Sequence, residues 1–156
     1  PLLEDVLREF FGKILLNIEI KSRHTGDALV RLLRRHFITC ADDWDLVLIS
    51  SFKARELMRV RRRSKRANLA LLHHQNPFAF IAYHRYLKLT AVGFHRLYLH
   101  RLALEIARRA GIFIYAYTID RPSAIHRLEH QGVQAIVTNY PDKCIAYINT
   151  HAETRD

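Results

Sequence analysis

Apolar runs with the length of β-strands alternate along the chain with amphipathic segments of helical periodicity. The strand-like runs, rich in Val, Ile and Leu, are KILLNIEI, DLVLISSF, ANLALLHH, KLTAVGFH, IFIYAYTID and VQAIVTNYPD. Segments such as GDALVRLLRRHF and KARELMRVRRR lie between them, and most strands begin about 20 to 30 residues apart, the length of one strand-plus-helix unit. This alternation predicts an α/β fold in which helices cover parallel strands.

The number of strand–helix units narrows the architecture. Six units can be counted, which suits a doubly wound sheet, whereas a (β/α)8 TIM barrel needs two more units, or about 60 further residues. The chain begins with proline, and PLLEDVLREF has the pattern of a helix entry. We therefore expect a (β/α)8 barrel with about six of its eight units present, as a single domain over residues 1–156 that is incomplete at its N-terminus.

Turn residues support these element boundaries. Gly111 and Gly132 each follow a predicted helix, where glycine adopts the left-handed conformation without steric cost. Asp120 stands where an N-cap is expected, with Pro122 in the first turn of the next helix. We expect two helices to end at the glycines and the sixth to begin after Asp120.

Composition and charge indicate the class of protein, its compartment and the kind of partner it could bind. Of the 156 residues, 49% are hydrophobic and 26% charged, as in globular proteins, and no apolar run approaches the roughly 20 residues of a membrane span. Cys40 and Cys144 lie far apart without CxxC spacing, which fits a reducing compartment and predicts a cytoplasmic location. The net charge of +10 fits an anionic partner but does not identify it.

Two charged residues interrupt the otherwise apolar first strand. Asn17, Glu19 and Lys21 share one of its faces, and the apolar residues between them share the other. We expect the apolar face to lie under the helices and the polar face to point into the barrel at the carboxyl end of the strand, where barrel enzymes have their active sites. A structural Glu19–Lys21 ion pair, or a solvated strand end, explains the same spacing equally well.

Four motifs in order resemble the glycerophosphodiester phosphodiesterase family. They are NIEIK, LISSF, AGIFIYAYTID and GVQAIVTNYPD, and the resemblance extends from the PLLEDVL helix to TNYPDK. Each motif alone is weak, but the ordered set is fairly specific. The resemblance implies a metal-dependent phosphodiesterase on a (β/α)8 barrel, which cleaves small-molecule glycerophosphodiesters to glycerol 3-phosphate and an alcohol.

The resemblance also implies roles for individual residues. Glu19 stands where the family has a ligand of the divalent cation, and a carboxylate suits Ca²⁺ or Mg²⁺. Lys21 stands where the family has a lysine that contacts the substrate phosphate. Tyr117 takes the place of a tryptophan that forms a wall of the pocket. Phe52 and Tyr117 are candidates to line the alcohol side, although aromatic residues at strand ends more often serve packing.

Several family features are missing. The catalytic histidines belong to H-R-G and H-D motifs, and further metal ligands to E-N-T and E-x-D segments; none of these occurs in the sequence. The catalytic residues of the site are therefore unknown, and we expect this chain alone not to turn over substrate. Asp120 and Asn139 stand where the family usually has Asn and Asp, and Lys53 stands where an acidic residue is common.

Other polar residues have simpler explanations. His73, His74 and His95 end strands and fit ordinary polar strand ends better than ligands. The run RVRRRSKR, residues 59–66, fits a solvated helix end, and no fold signature of a specific nucleic-acid binder accompanies it.

Two further expectations concern partners. The alternative function is a non-catalytic basic module that binds phosphate, nucleic acid or acidic lipid. An incomplete barrel also leaves two strand edges open, which predicts homo-oligomerisation or aggregation through them.

Overall fold

The structure is a computed structural model, and it describes residues 1–73 and 75–152. The chain divides into two compact units: unit 1 comprises Pro1–Leu72 and Phe80–Thr90, and unit 2 the rest. The strands are β1 (Leu16–Glu19), β2 (Val47–Ser51), β3 (Asn68–His73), β4 (Ala91–His95), β5 (Phe113–Tyr117) and β6 (Ala135–Ile136). The helices are α1 (Leu3–Phe10), α2 (Gly26–His36), α3 (Ala54–Arg63), α4 (Ala79–Leu87), α5 (Arg101–Arg109), α6 (Ile125–His130) and α7 (Pro141–Ala152).

Within unit 1 the strands lie side by side in the order β1, β2, β3, and within unit 2 in the order β4, β5, β6. The β1–β2, β2–β3, β4–β5 and β5–β6 pairs are parallel, as the alternation of strands and helices predicted. β6 is shorter than its sequence run, but the backbone bond from Val137 N to Ala116 O, 2.9 Å, continues the pairing beyond it. The predicted sequence of elements is confirmed.

The core of unit 1 lies where its strands meet the helices. Ile49 of β2 pairs in register with Leu69 of β3, and both are completely buried. Leu33 of α2 and Leu57 of α3 are also fully buried. Burial of each such side chain contributes about 1.5–3 kcal/mol of hydrophobic free energy, so these residues fix the helices and hence the strand ends that carry polar groups.

Unit 2 has its own core. Phe94 of β4 and Ile114 of β5 are buried, and α5 packs through the small residues Ala103 and Ala107, which lie one helical turn apart. Small side chains on this face allow a helix to approach its neighbours closely. The carboxyl ends of β4 and β5 are positioned by this packing.

The helix ends agree with the sequence except at one residue. Gly111 and Gly132 have φ of +67° and +86°, the left-handed conformation expected of glycine after a helix. The expectation that Asp120 is an N-cap is wrong: the short 3₁₀ turn Pro122–Ala124 follows Arg121, and no side chain caps it. The Asp120 carboxylate instead accepts hydrogen bonds from the segment after β6.

Two further observations concern the helices and the cysteines. None of the helices in the described part of the chain is long and apolar enough to cross a membrane. Cys40 is an exposed free thiol and Cys144 a buried one.

Candidate functional site

The carboxyl ends of β1 and β2 bring three charged side chains of unit 1 together. Lys21 Nζ lies 4.0 Å from Glu19 Oε2, so the two residues form the ion pair that their spacing allowed. Lys53, which follows β2, donates from Nζ to the carbonyl oxygen of Lys21. This end of the unit therefore carries one carboxylate and two ammonium groups. Its net positive charge suits an anionic ligand.

The Glu19 and Lys21 side chains are more exposed to solvent than a pair that points into the interior of a barrel would be. The Lys21 side chain is 79% exposed and that of Glu19 34% exposed. The reason is the place of β1: among the strands of the described residues it is the first of the sheet and pairs with β2 only, so none of them covers its other edge. At such exposure the ion pair contributes little to stability.

Two serines extend this site along β2. Ser50 is paired in register with Glu19, and neighbouring residues of a parallel pair project on the same side. Ser50 is fully buried, and its Oγ has no hydrogen-bond partner among the described residues. Ser51 Oγ donates to Ile20 O at 2.7 Å and accepts from Lys53 N at 3.0 Å. These bonds hold the end of β1 and the backbone of Lys53 in place. Phe52 lies directly after β2 and is partly buried.

Glu56 is a structurally important residue near this site that the sequence did not single out. It is 3% exposed on α3, and its carboxylate accepts from the backbone N–H groups of His24 at 2.8 Å and Gly26 at 3.0 Å. Gly26 is the first residue of α2 and His24 precedes its N-cap, Thr25, whose side chain makes no capping hydrogen bond. Glu56 thus caps α2 from a neighbouring helix and fixes the segment that follows Lys21.

The electrostatics of Glu56 reflect two opposing effects. Burial raises its pKa, but the hydrogen bonds from Gly26 and His24, together with nearby Arg59, outweigh burial and leave the pKa below its usual value. Gly26 is required for this contact, because a Cβ there would lie 2.7 Å from the backbone oxygen of Glu56.

In unit 2, Tyr117 ends β5 beside two histidines. Its hydroxyl donates to the carbonyl oxygen of His73 at 2.6 Å, and its ring lies edge-on to His95 with centroids 5.8 Å apart. Burial lowers the pKa of His73 to about 4, so its imidazole is neutral at physiological pH. His95 Nδ1 accepts from Leu97 N at 3.3 Å, a local structural role. His74 lies outside the described residues.

Asp120 and Asn139 meet at the carboxyl ends of β5 and β6. Asp120 Oδ1 accepts from the Asn139 backbone N–H at 2.9 Å and from Thr138 Oγ1 at 3.2 Å, and Oδ2 accepts from Asn139 Nδ2 at 3.1 Å. The Asn139 backbone bond is the main reason that the pKa of Asp120 lies below its usual value, and the Asn139 and Thr138 side chains add to it. The two residues exchanged relative to the family pattern are thus direct partners.

Arginines of the basic run, residues 59–66, form hydrogen bonds and ion pairs within unit 1. Arg61 is partly buried, and its guanidinium donates to four carbonyl groups, with bonds to Leu87 O at 2.7 Å and Lys65 O at 2.6 Å among them. Arg59 and Arg63 pair with Asp27, at 3.4 and 2.8 Å. Three of its arginines therefore stabilise the fold, which reduces the charge left for a polyanion.

A complete metal cage is not formed by the described residues. Across residues 1–73 and 75–152, no group of three or more His, Cys, Asp and Glu side chains is arranged to hold a metal ion. Ca²⁺ takes six to eight oxygen ligands and Mg²⁺ about six, so Glu19 with the neighbouring Ser50 hydroxyl does not satisfy either ion. Glu19 fits one ligand position and no more.

Comparison with known sequences supplies relatives. The sequence profile described as the glycerophosphoryl diester phosphodiesterase family matches residues 1–143. The chain is 28% identical over 151 residues to the glycerophosphodiester phosphodiesterase of Bacillus subtilis strain 168, covering 91% of this chain and 52% of that protein. It is 26% identical over 136 residues to a protein of the same name from Caldanaerobacter subterraneus, covering 84% and 54%.

A solved structure gives the fold type. A phosphodiesterase from Oleispira antarctica, in complex with the product sn-glycerol-3-phosphate, superposes with a TM-score of 0.80 at 23% identity, covering 96% of this chain and 61% of that one. The strands and helices are therefore of the (β/α)8 TIM-barrel type, as expected. The chain spans only 52% to 61% of the length of these three relatives. Because the family profile covers most of its residues, the chain belongs to the glycerophosphoryl diester phosphodiesterase family.

Proposed function

We propose that the protein to which this chain belongs hydrolyses glycerophosphodiesters to glycerol 3-phosphate and an alcohol. The observation that carries the proposal is the family match over residues 1–143, which includes the strand with Glu19 and Lys21. The complex of the Oleispira antarctica relative with sn-glycerol-3-phosphate supports this substrate class. Membership alone leaves the alcohol group unspecified.

Glu19 is proposed as one ligand of a divalent cation, Ca²⁺ or Mg²⁺, which would supply Lewis-acid polarisation of the phosphoryl group when bound. Its support is the carboxylate at the carboxyl end of β1 with the buried Ser50 hydroxyl in register beside it. Among the described residues, no group of three or more His, Cys, Asp and Glu side chains is arranged to complete the coordination of such an ion. This chain by itself is therefore proposed to be inactive.

Lys21 is proposed to bind the phosphate. Its ammonium group is largely exposed and is held near Glu19 at 4.0 Å, so it can reach a phosphoryl oxygen without breaking a buried contact. A positive charge at this position stabilises the negative charge that develops as water attacks phosphorus and the bond to the alcohol oxygen breaks. The proton that the leaving alcohol needs has no donor assigned in this chain.

Phe52 and Tyr117 are proposed to contact the organic part of the substrate. Tyr117 has its ring oriented by the bond from its hydroxyl to His73 O, 2.6 Å, and an aromatic ring held in this way suits contact with an organic group. Phe52 follows β2 directly and is partly buried. Both free thiols agree with a cytoplasmic enzyme, which we also propose.

The activity is tested by incubating the complete protein with glycerophosphocholine, glycerophosphoethanolamine and glycerophosphoglycerol in Ca²⁺, Mg²⁺ or Mn²⁺. We expect release of glycerol 3-phosphate from at least one diester, abolished by EDTA. Absence of release from all three in every cation contradicts the proposal.

Anion binding without catalysis is the second candidate. The observation that favours it is the basic surface of α2 formed by Arg31, Arg34, Arg35 and His36. Such a surface binds polyanions with steep salt dependence. This candidate predicts that nucleic-acid or acidic-lipid binding persists in Glu19→Gln, whereas the hydrolase proposal predicts loss of activity.

Self-association is proposed for this chain in isolation. Unit 1 exposes apolar side chains around its first helix and strand, Leu2, Leu3, Phe10, Ile14 and Leu15. Unit 2 has an apolar groove of about 610 Å³ beside β6, lined by residues that include Leu128, Ile136 and Ile148. Surfaces of this kind are commonly covered in the native assembly. Sedimentation velocity over a concentration series distinguishes an associating chain from a monomer.

A further inference from the structure

Two histidines lie one turn apart on α6 of unit 2. His126 Nε2 and His130 Nε2 are 3.0 Å from each other, and their ring centroids are 4.3 Å apart. Both residues are exposed, and this pair is remote in sequence from Glu19 and Lys21. Residues four apart on a helix project from the same face, so the backbone itself holds the two imidazoles together.

A carboxylate lies at the second nitrogen of one ring. Glu129 Oε2 is 3.9 Å from His126 Nδ1, on the opposite side of the ring from His130, so a small side-chain rotation would be needed to bring the two atoms within hydrogen-bond distance. Histidines that bind metals usually donate their other ring N–H to a carboxylate or carbonyl, which fixes the tautomer with Nε2 free to coordinate. The segment HRLEH, residues 126–130, thus combines a nitrogen pair with a carboxylate suited to orient one of its members.

We propose that His126 and His130 chelate a divalent transition-metal ion, Cu²⁺ or Ni²⁺, through their Nε2 atoms, with Glu129 orienting His126. Imidazole nitrogens suit these ions, whereas Ca²⁺ and Mg²⁺ prefer oxygen ligands. Metal–nitrogen bonds of about 2.0 to 2.1 Å at a right angle place the nitrogens about 2.9 Å apart, and a tetrahedral angle places them about 3.3 Å apart. The observed 3.0 Å is closer to the right angle of square-planar or octahedral coordination.

The site needs only two protein ligands, so it is compatible with the lack of any three-residue metal group within the described ranges. Water would complete the coordination shell. α6 has six residues, fewer than an isolated helix needs for stability, and a chelate across one turn favours its helical form. The bound ion is therefore expected to stabilise unit 2 as well as to occupy its surface.

The experiment is calorimetric titration of NiCl2 into the tag-free chain. A Cys40→Ser background removes the exposed thiol as a competing ligand. We expect one ion per chain, a loss of affinity of at least tenfold in His126→Ala and in His130→Ala, and a decrease of about tenfold in Glu129→Gln. His100→Ala, which removes another exposed histidine that has no histidine one turn away, should bind as the parent does.

Electron paramagnetic resonance of the Cu²⁺-loaded parent provides a direct readout of ligands. Hyperfine splitting from two imidazole nitrogens, reduced to one in either alanine variant, supports the chelate. Circular dichroism of each variant verifies that the chain remains folded. Equal binding in the parent and both alanine variants, or no saturable binding of either ion, overturns the proposal and leaves the 3.0 Å contact as a hydrogen bond between the two imidazoles.

Discussion

At the scale of single residues, the buried carboxylate of Glu56 is expected to contribute to the stability of unit 1 through its hydrogen bonds. It is buried and accepts two backbone hydrogen bonds from the start of α2, at 2.8 and 3.0 Å. Glu56→Gln replaces one accepting oxygen by an NH2 group that faces donors, so we expect a loss of about 2 kcal/mol in the free energy of unfolding. Urea denaturation at pH 7 measures this loss. Glu9→Gln, at an exposed helix position, should leave the urea midpoint unchanged.

The lowered pKa of Glu56 also gives that stability a pH dependence. Its contribution is fully present above the unfolded-state pKa of about 4.3 and is lost as the pH falls through the lower folded-state value. The denaturation curves of the parent and Glu56→Gln should therefore converge as the pH falls below about 4. A stability difference that stays constant as the pH is lowered, over the range in which both proteins remain folded, contradicts the proposed role.

The contribution of the Asp120–Asn139 contact to stability can be tested by exchanging the two residues. Asp120→Asn removes the charge that accepts three hydrogen bonds, so the melting temperature should fall. Adding Asn139→Asp restores one carboxylate and one amide across the same contact, so the double variant should recover part of the loss. Thermal denaturation of the parent, both single variants and the double variant gives the coupling. Strictly additive effects would show that the contact is unimportant.

The sequence predicted a role for Glu19 and Lys21 but gave no indication of the role of Glu56. Glu19 and Lys21 stand out because they interrupt an apolar strand, and the motif around them supplies a role. Glu56 occupies a helix where an acidic residue is unremarkable, and its partners, His24 and Gly26, lie about 30 residues earlier. That contact arises only when α2 and α3 pack together, so local pattern contains no sign of it. The exposure of Glu19 likewise depends on whether a further strand lies beside β1.

At the scale of elements, Arg61 joins the ends of two helices in unit 1. Its guanidinium bonds to carbonyls at the end of α3 and the end of α4. Arg61→Ala leaves several partly buried carbonyls without a donor, so we expect a loss of about 2 kcal/mol of stability, measured by urea denaturation. Arg62→Ala is the matched control, because Arg62 is exposed on the same helix and should change little.

Helix and strand boundaries were the most predictable part of the fold. Gly111 and Gly132 adopt the positive φ expected from their positions, and the described strand pairings are parallel as expected. Asp120 shows the limit of such reasoning. A carboxylate before Pro122 matches a local capping pattern, but donors from Thr138 and Asn139 compete for it and provide three hydrogen bonds. The long-range contacts outweighed the local preference.

At the scale of the whole molecule, the family of the chain has to be considered together with the share of its relatives' length that it covers. The chain covers 52% of its Bacillus subtilis relative and carries the strand with Glu19, but the described residues do not form a metal cage. We infer that Glu19 and Lys21 act only with ligands and catalytic groups that these residues do not provide. The proposed activity therefore has to be tested with the complete protein, whereas folding and the proposed transition-metal binding can be tested directly with this chain.

The most direct test of this account is the cation-dependent rate of glycerol 3-phosphate release by the complete protein and by its Glu19→Gln variant. We predict a rate that requires Ca²⁺, Mg²⁺ or Mn²⁺ and falls by about 100-fold or more in Glu19→Gln. Glu9→Gln, which changes a carboxylate of α1, should retain the parental rate. An unchanged cation-dependent rate in Glu19→Gln would contradict the proposed role of β1 in the active site.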